Sequence, residues 1–224
     1  SMAHLFGTDK LGRDVLSRIL YGGAYSLSSV LALVAIIFCV GTFLGIVAGY
    51  FGGLIDTVIM RVADMMISFP GVILAIAIAG IMGGSLVNAM IALTAVTWTK
   101  YARLSRSMVL KIRKRDFVDA AIVSGGTSSH ILWTHIMPNV VPILVITAVS
   151  DIGAMMMELA GLSFLGFGSQ PPAPEWGLML NEGRQQLQTA PWLMVFPGLA
   201  IFISVVIFNL WGDALRDVLD PRDQ

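Results

Sequence analysis

Charge is what this sequence has least of. Only 12% of its 224 residues are Asp, Glu, Lys or Arg, against 56% hydrophobic, whereas soluble domains carry about 25% charged residues. The shortage argues against an ordinary soluble domain and for a chain that lives in a bilayer. The 14 basic and 14 acidic residues cancel, so no net field recommends nucleic acid as a partner. Cysteine is nearly absent. Cys39 stands alone, which rules out an intrachain disulfide, and its place in an apolar run suits a small buried hydrophobe. Histidine is scarce too, with three in all. His130 and His135 are five apart, whereas a helical metal pair prefers three or four with a third ligand near, so no firm metal site is read. Gly125-Gly126-Thr127-Ser128 lacks the Gly-Lys-Ser/Thr continuation and the preceding strand of a phosphate loop. The chain itself is therefore not expected to bind or hydrolyse ATP, and no cofactor is expected in it.

Long apolar runs are what the sequence has in abundance. A membrane span needs about 20 mostly apolar residues. Residues 26–50, 57–82, 85–105, 140–166 and 192–212 each read as one, which predicts an all-α polytopic bundle of five spans. Pro70 interrupts the second, and the half before it carries Arg61 and Asp64. That half reads as an interfacial or protein-facing helix bending at Pro70. Arg61 and Asp64, three apart, are close enough for an ion pair. Gly41, Gly45 and Gly49 have the small-residue spacing that lets helices approach closely in lipid. Lys100, Arg103, Arg106, Lys111, Arg113, Lys114 and Arg115 hold half of the 14 basic residues, which places the loop after the third span in the cytoplasm. Alternation then puts residues 51–56 and the C-terminal tail inside, and the N-terminal segment, residues 83–85 and residues 167–191 outside. This leaves the two ends on opposite faces, so a further span is expected to precede the sequence. Ser1-Met2-Ala3 reads as a cloning remnant. In the outer loop Pro171, Pro172 and Pro174 enforce extended chain, and EWGLMLNEGRQQL reads as a short helix with Trp176 at the interface.

One cytoplasmic stretch, DFVDAAIVSGGTSSHILWTHIMPN (116–139), is short and rich in small residues between oily flanks. Asp116 or Asp119 favours a helix start, Ala120 and Ala121 favour helix with little bulk, and Gly125-Gly126 ends it. A second helical segment runs on to Pro138. The result is a helix–Gly–helix element with a thin surface. Asp119-Ala120-Ala121, with Gly125 following and His135, Pro138 and Asn139 beyond, resembles the coupling motif of permease subunits of ATP-binding-cassette importers, with Asp in place of the family's Glu. GTDKLGRDVLSRILYG (7–22), FGGLIDTVIMRVADMMISFP, LSFLGFGSQPPAPEWGLML (162–180) and GDALRDVLDPR (212–222) resemble, in order, segments of the dipeptide/oligopeptide/nickel permease branch. DIGAMMMELAGLSFLG is closer to the nickel permeases.

The resemblance implies one transmembrane permease domain over residues 4–224, with a coupling loop at 112–139 and an external loop at 167–191, in the bacterial inner membrane. It implies a coupling helix that docks on the ATPase, carried by Asp119, Ala120, Ala121, Gly125, His135, Pro138 and Asn139. It implies a heterodimer with a homologous permease, two cytoplasmic ATPase subunits that bind ATP and Mg, and an extracytoplasmic solute-binding protein. The expected function is import of nickel or a nickel chelate by alternating access. A di- or oligopeptide importer is the alternative, and an ion-coupled transporter or channel is the alternative of another class. Asp151 and Glu158 lie seven apart in the fourth span with Met155 on the same helix face. Ionisable groups at membrane depth face the bundle interior, a partner or a water-filled path. These three are therefore the candidates for a translocation path, with a helix–helix contact as the other reading. Met156 and Met157 are expected to pack. Arg13, Asp14 and Arg18, like Glu175, Glu182 and Arg184, could meet the binding protein or the lipid headgroups.

Overall fold

The computed structural model describes residues 4–219. Residues 1–3, the expected remnant, and 220–224, the end of the tail with Arg222, lie outside the described residues. Among the described residues the regular structure is helical: α1 (Val15–Phe51), α2 (Gly53–Ile67), α3 (Gly71–Met82), α4 (Leu86–Ile112), α5 (Asp116–Val123), α6 (Ser128–Ile131), a π turn (Leu132–Ile136), α7 (Met137–Phe164), α8 (Trp176–Arg184) and α9 (Trp192–Leu219). Three stretches are long and apolar enough to cross a membrane: Val15–Phe51, Ser128–Phe164 and Trp192–Val218. A fourth appears when α2 and α3, broken around Pro70, are taken as one bent span. Length and composition thus give three or four spans among the described residues, where five were expected. The difference is α4. It has 27 residues, but Lys100, Arg103, Arg106 and Lys111 dilute its apolar character.

Two compact units share the chain: Ser1–Val34, Val72–Ala95 and Ser150–Gln224 form one, and Ala35–Gly71 and Val96–Val149 the other. In the second unit α1 and α4 are in close contact through the three glycines. A Cβ on Gly41 would sit 2.5 Å from the Trp98 carbonyl oxygen, and one on Gly45 would sit 2.2 Å from that of Ala102. The small-residue spacing is therefore a packing requirement. Arg106 forks onto Asp56 of α2 (2.5 and 2.6 Å), and Arg103 takes Asp64 at 2.5 Å. The expected Arg61–Asp64 pair is replaced by this contact, because α4 brings a better-placed guanidinium than the same helix offers. A buried cluster of Ile46, Val109, Val118, Ile131, Ile136, Val140 and Leu144 joins α1, α4, α5, α6, the π turn and α7.

In the first unit Asp14 caps α1, accepting from the Ser17 amide at 2.8 Å. Residues 168–175 are non-helical, with a cis bond between Pro171 and Pro172, and lead into α8. Trp176 does not sit at an exposed interface. It is 5% exposed, donates its indole N–H to the Ile19 carbonyl (3.0 Å), and lies over Gly22 and Gly23. Those glycines form the hollow that receives it, since a Cβ on either would come within 3.1 Å of the indole.

Candidate functional site

The 116–139 element is built around a helix stop. At the end of α5 the Gly126 amide donates to the Ala121 carbonyl (3.0 Å) and the Gly125 amide to that of Ile122 (3.0 Å). This is the Schellman pattern, which needs a left-handed residue at its turn. Gly125 supplies it with φ +81. Its Cα faces open space, with nothing within 4 Å of a Cβ built there. Thr127 then caps α6, its hydroxyl accepting from the His130 amide at 3.3 Å.

Beyond α6 the helix widens into a π turn, with the Met137 amide donating to the Leu132 carbonyl. Pro138 and Pro142 follow within α7. Proline lacks an amide donor and its ring crowds the carbonyl four residues back. A π turn just ahead of Pro138 gives that ring room, and such turns are frequent at functional positions. Asn139 donates its side-chain amide to the His135 carbonyl (2.7 Å). The His135 ring lies 6.0 Å from those of Phe117 and His130. His135, Pro138 and Asn139 thus shape one corner of the element.

The motif residues differ in how they face. Asp119, Ala120 and Gly125 are exposed, and Ala121 is half-buried. Around them stand large apolar side chains rather than the thin surface expected: Val123 is 89% exposed and Trp133 68%. The residues that fasten the element, Val118, Ile131 and Ile136, are all buried. The sequence reading did not single them out. For Val118 the signal was an apolar position on the face of α5 opposite Asp119 and Ala120.

The path candidates are not all brought together. Glu158 lines a cleft of about 230 Å³ with Val72, Ala75, Leu93, Met157 and Gly161. Asp151 is half-buried and is not on that wall. Met155 is 6% exposed and packs in the interior, while Met157, expected to pack, is 61% exposed and stands beside Glu158 in the cleft. Separation by seven does place Asp151 and Glu158 along one helix. Which flank is open depends on α3 and α4, which the spacing cannot see.

A third polar site joins the N-terminal segment to α8. Asp9 accepts from the Arg13 Nε (2.6 Å) and the Arg18 Nη1 (2.9 Å), and Glu182 accepts from Arg18 (2.7 Å) and Arg13 (3.2 Å). Burial alone would raise the Asp9 carboxyl, but hydrogen bonds from the backbone amide and guanidinium of Arg13 and from the Leu11 amide hold it below its ordinary value. Glu175, 2% exposed, caps α8 by accepting from Gly177 and Leu178 (both 2.8 Å). Here burial wins over those bonds and pushes the carboxyl up. Arg184 lies 5.8 Å over the Phe164 ring.

Residues 41–222 match the family described as binding-protein-dependent transport system inner membrane component. The dipeptide transport system permease protein DppC of Alkalihalophilus pseudofirmus is 45% identical over 222 residues, covering 99% of this chain and 73% of that protein. The nickel transport system permease protein NikC of Escherichia coli K12 is 46% identical over 219 residues, covering 98% and 79%. The glutathione transport system permease protein GsiD of Pectobacterium atrosepticum is 44% identical over 222 residues, covering 99% and 74%. Among solved structures, an inward-facing MetNI methionine ABC transporter aligns with a TM-score of 0.70 at 18% identity, over 92% of this chain and 98% of that one. At that identity the likeness concerns the fold.

Proposed function

The chain belongs to the family of binding-protein-dependent transport system inner-membrane components, and from that premise we propose that it is the non-catalytic permease subunit of an ATP-driven nickel importer. Family membership makes it a multi-pass inner-membrane protein of a system with a binding protein and an ATPase as further subunits. The finer reading adds five spans, with α4 as the polar fifth, and a homologous permease as heterodimer partner. ATP and Mg belong to two cytoplasmic ATPase subunits, and this chain holds no cofactor. In this reading the 112–139 loop docks on the ATPase, and the external 167–191 loop and the N-terminal segment face the binding protein.

One observation carries the coupling role. The element shows a partner an apolar and small-residue face while Val118, Ile131 and Ile136 root it in the same buried cluster as α1, α4 and α7. Close-packed cores transmit displacement instead of absorbing it, so a push on α5 moves three long helices. ATP binding would close the ATPase dimer, shift the element and turn the bundle outward. Hydrolysis would reset it. The energy comes from the partners, because cargo shifts a two-state bundle only by its differential affinity. Replacing Gly125 with Trp tests this directly. The indole would project into open space and force a non-Gly residue to positive φ. Substrate-stimulated ATPase activity of the reconstituted complex should fall while subunit assembly persists; full stimulation would remove the element from the coupling path.

For the cargo, the nickel reading rests on the DIGAMMMELAGLSFLG segment and on a nickel permease among the relatives, beside dipeptide and glutathione permeases of similar identity. Asp151 and Glu158 suit a divalent or protonated cargo, and Met157 adds a thioether beside Glu158. Calorimetry of the cognate binding protein with nickel, a nickel chelate and dipeptides separates the cases, and peptide binding alone would move the assignment to di- or oligopeptide import. An ion-coupled transporter would instead take up cargo without the ATPase. The family match favours the ATP-driven reading.

A further inference from the structure

A slot lies between residues 38–47 of α1 and 132–141 of the π turn and α7. Its volume is about 360 Å³, and its lining includes Phe38, Cys39, Phe43, Val47, Trp133 and Val141. The wall is almost wholly apolar. Its one hydroxyl, Thr42, is 5% exposed and has no hydrogen-bond partner among the described residues. At 1.5 Å per residue, Phe38 to Val47 makes the slot about 14 Å long. A helix is about 10 Å across and would only lay side chains into a slot this narrow. A single alkyl chain is the thinner shape.

The chemistry at one end narrows the occupant. One turn beyond Val47, the Tyr50 carbonyl accepts from Arg113 at 2.7 Å, and the guanidinium lies 5.7 Å over the Tyr50 ring. Tyr50 packs on the same cluster as the slot residues Phe38, Leu132 and Met137. Arg103 and Arg106 are neutralised by Asp64 and Asp56. Arg113 has no carboxylate partner among the described residues, and neither do Lys111, Lys114 and Arg115. Trp133 at the rim is a residue type that sits at headgroup level, and basic pockets at the cytoplasmic ends of spans bind lipid headgroups.

We propose that this slot is a phospholipid site: one acyl chain of an anionic inner-leaflet lipid lies along α1 and α7, and its phosphate is drawn to Arg113 and the neighbouring cations. The proposal rests on the proposed function for the cytoplasmic placement of this end, and within the 112–139 loop it assigns Arg113 and Trp133 to the lipid, leaving the exposed Asp119, Ala120, Val123 and Gly125 to the ATPase.

The test uses the whole transporter complex in nanodiscs of phosphatidylethanolamine and phosphatidylglycerol, the latter carrying a diazirine midway along one acyl chain. After photolysis, mass spectrometry should find adducts on 38–47 and 132–141 roughly tenfold above those on the exposed α9 residues Phe202, Ile203 and Leu210. Unlabelled phosphatidylglycerol should compete them away. Alkylating Cys39 with a long-chain maleimide fills the slot in the folded complex and should abolish its labelling. Arg113→Gln should erase the preference for phosphatidylglycerol over phosphatidylcholine, and Thr42→Val should keep the labelling, because it removes only an unpaired hydroxyl. Equal labelling of α9 and the slot, labelling that survives Cys39 alkylation, or an undiminished headgroup preference in Arg113→Gln would overturn the site. Subunit dissociation on Thr42→Val would also overturn it, by identifying a protein helix as the occupant.

Discussion

The 112–139 element and the cap made by residues 4–18 with 168–191 use their polar and apolar groups in opposite ways. In the cap, Asp9, Arg13, Arg18 and Glu182 satisfy one another within a closed ring. Asp14 and Glu175 spend their carboxylates on helix starts, and Trp176 is sunk against glycine. In the element, Asp116, Asp119 and three cations after Ile112 have no ion-pair partner among the described residues, and Val123 and Trp133 stand in the open. The cap has settled its interactions internally. The element has settled only its root, through Val118, Ile131 and Ile136, and exposed apolar groups of this kind mark interaction surfaces. One region is held by its own charges, and the other leaves large apolar groups in the open.

The comparison breaks most sharply at Arg18. Arg18→Met leaves Asp9 and Glu182 with Arg13 alone in a nearly dry setting, where removing one partner of a buried pair costs about 3 kcal/mol. The melting temperature of the purified complex should drop, while basal ATPase activity without binding protein stays that of the parent. A changed basal rate at parental stability would mean the cap is no mere fastening.

Val118→Ala removes two methyl groups from the root of the element and should cost on the order of 2 kcal/mol locally. Here the expected signature is reversed: cargo moved per ATP falls more than the melting temperature does. Equal transport efficiency would detach the root from the stroke.

The smallest effect is on pH. Asp9, held below its ordinary value, contributes stability that is present above the unfolded carboxyl pKa of 3.8 and is lost as pH falls through the folded value below it. Glu175, pushed up, has the opposite sign: its contribution is full below its ordinary 4.5 and is lost as pH rises through the folded value above it. Melting curves of Glu175→Gln against the parent should therefore show the variant gaining relative stability as pH rises from 4.5. A difference that does not vary with pH would place the Glu175 proton outside the folding equilibrium.

Local chemistry was legible in the sequence. Pro70 does break its span, Gly41, Gly45 and Gly49 are points of close helix approach, and Gly125 ends α5 with the positive φ that only glycine takes without strain. What the sequence concealed depends on chain distant from the residue in question. Asp64 chose Arg103, thirty-nine residues away, over Arg61 on its own helix. Trp176 looked like an interfacial anchor because its pocket is made by Gly22 and Gly23. Arg18 and Glu182 are 164 residues apart and carry no shared pattern. The span count blurred at α4, since arginines on a helix look soluble until Asp56 and Asp64 are seen to neutralise them. Helical periodicity likewise put Met155 beside Glu158 and could not tell which flank of α7 is open to the cleft.

Docking of the ATPase on the 116–139 element is the claim on which the rest depends, and Val123, at 89% exposure, is the place to test it. A photo-crosslinking amino acid at position 123, activated in membranes that contain the assembled transporter, should join this chain to the ATPase subunit. The same probe in place of Lys10, in the N-terminal segment, should not. An ATPase adduct from position 10, or none from position 123 in a complex that still hydrolyses ATP in response to cargo, would contradict the account.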